Sequence, residues 1–350
     1  MTRATPLSFA VALLATTISL AACAASTPPA QATQIEAART PEMDALLRYV
    51  RGRGSTGFIV VRDGAIIINQ AWRAPDDDAM FANFVYGVSP SGYLLEDVAS
   101  QQKSFIAVLM AIAVDRGLLD VERSVTSYIG EGWSRASPEQ EAAIRVVDIM
   151  TMSSGLDEQF RYQAPSGTTF FYNTPVYAVT KRILTAASGE SLETITRDWL
   201  TVPIGMVETE WRQRPAALAS VGNDTGLVTT PLDVARFGQM ILNRGMGLNG
   251  QRVVSEAQLD ALFTPSQTNP AYGRLWWLNS GAYTVRGNGN RRDGPLIPAA
   301  APDTVAALGA FDRRLYVVPS RRLVVVRTGA ATNDQAFDQE LWLRLNAVLD

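Results

Sequence analysis

The sequence predicts an α/β (α+β) fold: an antiparallel sheet formed by N- and C-terminal strands, flanked by helices, with a mostly helical region inserted. Three observations predict it. Phe58-Ile59-Val60-Val61-Arg62 and Ala65-Ile66-Ile67-Ile68 flank Asp63-Gly64, and Asp-Gly between apolar runs is a hairpin signal. Leu315-Tyr316-Val317-Val318 and Leu323-Val324-Val325-Val326-Arg327 are rich in β-branched residues, with Pro319-Ser320-Arg321-Arg322 as a connecting loop. Between these ends, from about 118 to 270, the pattern is short helices and loops. Strands far apart in sequence must therefore pair to complete one sheet.

Taken in order, the chain opens on an export signal at 1–22. Thr2-Arg3 is a short positive start, and the apolar run from Phe9 to Leu20 is too short to cross a bilayer comfortably. Leu20-Ala21-Ala22-Cys23 looks like a bacterial lipobox, which predicts acylation at Cys23 and a membrane anchor. Several acyl chains on one cysteine anchor a protein stably. The expected location is the bacterial envelope. The outer membrane is favoured because Ala24, not aspartate, follows the cysteine, and the periplasmic side is preferred. Residues 23–41, rich in Ala, Thr, Pro and Gln, read as a tether spanning roughly 20–25 Å root-mean-square.

The folded domain is expected over 42–350. Residues 42–50 form a short amphipathic helix, and the acidic stretch around Asp76-Asp77-Asp78 a solvated loop. Residues 100–116 are apolar on nearly all sides, which predicts a buried helix, and Gly117 supplies its stop. Further helices are expected over 146–152, 175–187, 231–244 and 255–263, with Pro231 in a first turn. The last helix is expected over 333–349, with Thr332 and Gln335 as a capping box and Phe337, Leu341, Leu345 and Val348 on one face.

Composition excludes several chemistries. The chain has 350 residues, 47% hydrophobic, enough for a large core. Net charge is −3 with charges scattered, so no basic stripe points to nucleic acid. There is no histidine, so no imidazole can take a serine proton and no histidine-ligated zinc can form. The single cysteine permits neither a thiolate metal site nor an intramolecular disulfide, and no metal or cofactor is implied. Lysine is scarce: Lys103 and Lys181 are the only two among 31 basic residues. Arginine stays protonated, whereas a buried lysine can become a neutral amine.

Ser100-Gln101-Gln102-Lys103 is the only S-x-x-K in the chain, and the apolar run from Phe105 follows at once. Residues i and i+3 share a helix face, with Cβ atoms about 5–6 Å apart, so the amine can reach the hydroxyl. Burial would free some neutral amine, and the helix N-terminus favours a developing oxyanion. The alternative at this point is a capping serine beside a snorkelling lysine. Lys181, in Val179-Thr180-Lys181-Arg182, reads as part of a solvated helix face, and the charged segment 286–293 as a solvated loop.

Asp97-Val98-Ala99-Ser100-Gln101-Gln102-Lys103-Ser104 resembles the first motif of the serine β-lactamase and penicillin-binding-protein superfamily, its class C-like branch best. That branch includes D-alanyl-D-alanine carboxypeptidases, β-lactamase-like carboxylesterases and 6-aminohexanoate-dimer hydrolases. Four further segments carry the resemblance, which runs from about Phe58 to the end. They are Gly117-Leu118-Leu119-Asp120; Met150-Thr151-Met152-Ser153-Ser154-Gly155-Leu156; Gly167-Thr168-Thr169-Phe170-Phe171-Tyr172-Asn173-Thr174; and Gly226-Leu227-Val228-Thr229-Thr230-Pro231-Leu232-Asp233-Val234-Ala235-Arg236. The resemblance implies a β-lactamase/transpeptidase-like fold with Ser100 as acyl-accepting nucleophile and Lys103 as its partner in proton transfer. Tyr172 is implied as general base and acid, its phenol kept partly ionised by neighbouring positive charge. The backbone N–H groups of Ser100 and Ala310 are implied as oxyanion donors. Thr174, Gly309 and Trp276, the last in a segment similar to the family's "YGxxWW", are possible substrate contacts.

Two departures bear on substrate. Thr174 stands where β-lactamases have asparagine, and Tyr172-Asn173-Thr174 looks more like the aminohexanoate-hydrolase-like members. The third motif falls within Leu308-Gly309-Ala310, with no lysine or histidine to hold a substrate carboxylate; neither Arg313 nor Arg314 matches the position. The resemblance therefore implies hydrolysis of a small ester or amide, or a peptide, through a Ser100 acyl-enzyme. A cell-wall D-Ala peptidase or weak β-lactamase is the alternative within the class. A catalytically silent interaction protein on the same fold is the alternative outside it.

Overall fold

The computed structural model describes residues 1–2, 39–219, 222–287 and 289–350. The export signal, Cys23 and nearly all of the expected tether lie outside the described residues, and the elements below belong to the unit spanning Gln31–Asp350. The main sheet has six antiparallel strands: β1 (Ser55–Arg62), β2 (Ala65–Ala71), β7 (Trp277–Leu278), β10 (Val305–Gly309), β11 (Arg313–Val318) and β12 (Leu323–Gly329). Their order is β2-β1-β12-β11-β10-β7, so the two ends of the sequence meet at β1 and β12, with Val60 opposite Val325.

The uninterrupted apolar runs follow from burial on both faces. Phe58, Val60, Tyr316, Val318, Leu323 and Val325 point to one side, against the helices Pro41–Gly52 and Phe337–Leu349. Ile59, Val61, Leu315, Val317, Val324 and Val326 point to the other, into the main core. Side chains alternate along a strand, so each run supplies both layers. Gln102–Asp115 sits in that main core with Gln102 to Ala113 buried throughout, and Phe105 stacks on Phe237 at 3.9 Å. Gly117, at φ 71°, takes the left-handed turn that stops the helix.

Three features differ from the sequence reading. A second antiparallel sheet pairs β3 (Val85–Val88) and β4 (Leu94–Asp97), ahead of the expected helical region, with β6 (Thr225–Thr229) and β5 (Glu210–Gln213), two strands that lie within it. The expected 286–293 loop includes a strand: β9 (Arg291–Asp293) pairs with β8 (Tyr283–Val285) as a hairpin. The last helix begins at Phe337, without a capping box. Thr332 Oγ1 instead donates to Asp312 Oδ2 at 2.6 Å, which holds residues 332–336 off the helix axis.

Candidate active site

Ser100 lies in a 3-10 turn, Ala99–Gln101, that runs directly into the buried helix Gln102–Asp115. The turn is entered through Ala99 at φ 51°, a left-handed conformation that is uncommon outside glycine. A carboxylate holds it: Ala99 N–H donates to Asp97 Oδ1 at 2.8 Å. Asp97 is gripped in turn by a two-pronged ion pair, Arg214 Nε to Oδ2 at 2.7 Å and Nη2 to Oδ1 at 2.9 Å, with both side chains buried. Gly226 on β6 leaves room for this pair, since a Cβ there would fall 2.0 Å from Asp97 Oδ2.

The helix spacing delivers Lys103 beneath Ser100. Its Nζ donates to Ser100 Oγ at 3.0 Å and to Thr174 Oγ1 at 3.2 Å. It also sits over the rings of Tyr172, at 4.9 Å, and Tyr177, at 4.7 Å. Lys103 is 2% exposed and these contacts include no carboxylate, so nothing balances a positive charge. Burial drives its pKa well below the usual lysine value, and the charges of Arg214 and Lys181 push the same way. Ser100 itself remains partly open to solvent. The arrangement is a reachable hydroxyl above an enclosed amine.

Tyr172 joins this pair, its ring centroid 4.9 Å from the Lys103 amine and its phenol close enough to Ser100 for the hydroxyl to act on it. Burial works against the partly ionised phenol that the resemblance implies. Burial pushes Tyr172 up to about 12, opposed only in part by the Ser100 hydrogen bond, so the phenol keeps its proton at neutral pH. Of the two groups, Lys103 is the one that burial shifts toward its proton-free form. Tyr172 packs in an aromatic wall, stacked on Trp277 at 6.0 Å and edge-on to Tyr272 at 6.2 Å. The β8–β9 turn comes over it, with the Cβ position of Gly287 3.8 Å from Tyr172 Cβ.

The end of β10 lies against the nucleophile turn. Gln101 Nε2 donates to Ala307 O at 3.2 Å, and a Cβ on Gly309 would fall 2.4 Å from Val98 O. Glycine is required at 309 for this approach. Ala310 opens the turn into β11, and its carbonyl accepts from Arg313 Nη1 at 3.2 Å. Arg313 is fully buried and paired with Glu96 at 3.0 Å; Arg314 pairs with Asp338 and Asp312, both at 2.7 Å. Neither arginine is available to a substrate carboxylate.

Two residues stand elsewhere than expected. Trp276 is completely buried among Phe237 and Phe263, so it is a core residue rather than a substrate contact; its neighbour Trp277 faces Tyr172. Lys181 is not on a solvated face. It is 8% exposed, over the Trp211 ring at 4.5 Å, and donates to Asn223 Oδ1 and Thr225 Oγ1 at 2.8 Å and to Thr225 O at 2.9 Å. Two signals bear on it: lysine is scarce in this chain, and Lys181 lies seven residues after Thr174, on nearly the same face of one helix.

The family model described as Beta-lactamase matches residues 43–349. Solved structures with the same fold include a candidate beta-lactamase from Bacteroides dorei, 14% identical, with a TM-score of 0.67 and 88% of this chain and 98% of that one covered. A candidate 6-aminohexanoate-dimer hydrolase from Bacillus anthracis is 15% identical, with a TM-score of 0.65 and coverage of 92% and 87%. A family VIII carboxylesterase is 12% identical, with a TM-score of 0.62 and coverage of 89% and 97%.

Proposed function

The chain belongs to the Beta-lactamase family, and from that premise we propose that it is a serine hydrolase that cleaves a small ester or amide through an acyl-enzyme on Ser100. The observation that carries this reading is the 3.0 Å contact between Ser100 Oγ and the buried Lys103 amine. As Ser100 Oγ attacks the acyl carbon, its proton passes to the lone pair on Lys103 Nζ, and the carbonyl π pair moves to oxygen. Backbone N–H groups of Ser100 and Ala310 are the proposed donors to that oxyanion. Collapse expels the leaving group, which takes a proton from Lys103 by way of the Tyr172 hydroxyl. Water then attacks the acyl carbon, passing a proton along the same route to Lys103; as the carbonyl re-forms, the bond to Ser100 Oγ breaks, Oγ takes that proton back, and the acid is released.

The closed ion pairs of Arg313 and Arg314 and the aromatic wall of Tyr172, Tyr272 and Trp277 support a neutral, apolar acyl group over one that ends in a carboxylate. This ranks ester hydrolysis above D-Ala peptidase or β-lactamase activity. The Leu20-Ala21-Ala22-Cys23 sequence supports anchoring of the enzyme to the bacterial envelope through acylated Cys23. The test is turnover of p-nitrophenyl butyrate, an anilide and benzylpenicillin by wild type and Ser100→Ala. The reading expects ester hydrolysis that Ser100→Ala abolishes and little gain from a carboxylate on the acyl chain. Undiminished turnover by Ser100→Ala would overturn it.

A further inference from the structure

Lys181 is a buried cation that the acyl-transfer steps do not use. Its three hydrogen bonds all go to neutral acceptors, on Asn223 and Thr225. Asn223 links it to the nucleophile turn. Its side-chain oxygen accepts from Lys181, while its backbone carbonyl accepts from Arg214 Nη1 at 3.1 Å. Arg214 holds Asp97, and Asp97 holds the Ala99 N–H next to Ser100. The same helix, Thr174–Ser188, presents Thr174 to Lys103 and Tyr177 beneath it. The two lysines thus belong to one buried assembly.

Building on the hydrolase reading above, we propose that Lys181 is a positioning residue for the Ser100–Lys103 pair, a second buried lysine whose charge keeps Lys103 in its amine form. The charged and titratable groups that act on Lys181 are Arg214 on the strand side, Asp224 beside Asn223, and Asp97 at the end of β4. Those around Lys103 are Arg214, Lys181 and the phenols of Tyr172 and Tyr177. Two cations surround one firmly paired carboxylate, Asp97, so a proton on Lys103 would add a like charge to the assembly. Burial lowers Lys181 to about 7, so its charge is present on the acid side of neutrality. As pH rises through 7, Lys181 becomes neutral and its influence fades.

The test is the rate of Ser100 labelling by a fluorophosphonate from pH 5 to 9.5, on the full chain in detergent, for wild type, Lys181→Gln and Asn223→Asp. Lys181→Gln removes the charge and keeps a hydrogen-bond donor; Asn223→Asp keeps the lysine and neutralises it with a carboxylate. Both variants are expected to move the acid limb upward by about one pH unit, with labelling up to about tenfold slower on that limb and equal to wild type on the alkaline plateau. A uniform loss at every pH would mark a merely structural lysine and overturn the inference, as would an unmoved limb in either folded variant. If Lys181→Gln fails to fold, Asn223→Asp decides alone by the same criterion. Absence of any Ser100 adduct on wild type would overturn the hydrolase reading itself, a result distinct from labelling with an unmoved limb.

Discussion

In the proposed acyl transfer, the competence of Ser100 depends on which partner is neutral. Lys103 is driven toward the amine by burial, and Tyr172 is held as a phenol by burial, so one enclosed environment sets both protonation states. Replacing Lys103 by alanine removes the base and is expected to lower kcat on an activated ester by about 10³-fold or more. Tyr172→Phe removes only the relay and should cost about 10²-fold in kcat, with KM little changed. Steady-state kinetics separates the two. Buried lysines also shape stability. A lysine unfolds to a value near 10.4 but sits near 7 at Lys181 and well below the usual value at Lys103, so the unfolded chain binds more protons between those limits. Stability from these two groups is therefore fully present above about pH 10 and is lost as pH falls toward 7. Urea midpoints are expected to rise from pH 7 to pH 9.5, with a smaller rise in Lys181→Met. Lys181 was illegible in the sequence because Thr180-Lys181-Arg182 reads as a polar helix face. Its burial depends on Asn223 and Thr225, more than forty residues away.

At the scale of elements, the nucleophile turn is held from two sides. The Asp97–Arg214 pair fixes its entry, and the glycine at the end of β10 closes against it. Arg214→Met leaves Asp97 buried without its partner and is expected to cost about 3–5 kcal/mol, read as a lower guanidinium midpoint. Gly309→Ala should be milder for stability and severe for rate. Its Cβ would meet Val98 O at 2.4 Å and push β10 off the turn, and a displacement near 1 Å costs about 10²-fold in kcat. The long elements were legible in sequence for a physical reason. Strands buried on both faces are apolar at every position, and residues 58–61, 315–318 and 323–326 show that directly. The β3-β4-β6-β5 sheet was not, because its strands are four or five residues long and are defined by distant pairings such as Asp97 with Val228. Trp276 and Trp277 show the same limit: Trp276 precedes β7 and is buried against Phe237 and Phe263, whereas Trp277 opens the strand and stacks on Tyr172, a difference set by the fold around two identical neighbours.

For the whole molecule, the candidate site lies where the two sheets and the buried helix meet. Ser100 follows β4 of the smaller sheet, Gly309 ends a strand of the larger one, and Tyr172 and Thr174 open the helix Thr174–Ser188. Ser100 and Lys103 were legible as a pair because their spacing is local, and Tyr172 was named only through the resemblance of its segment to a family motif. The aromatic wall and the closed arginine pairs were not, because they depend on chain segments brought together only by the fold. The central claim is that this junction activates Ser100. Intact mass of the full chain after fluorophosphonate treatment, with Ser100→Ala treated alongside, tests it most directly. One phosphonyl adduct is expected on wild type and none on the variant, with both proteins folded by circular dichroism. A folded wild type that takes no adduct, or a Ser100→Ala variant that takes the same one, would contradict it.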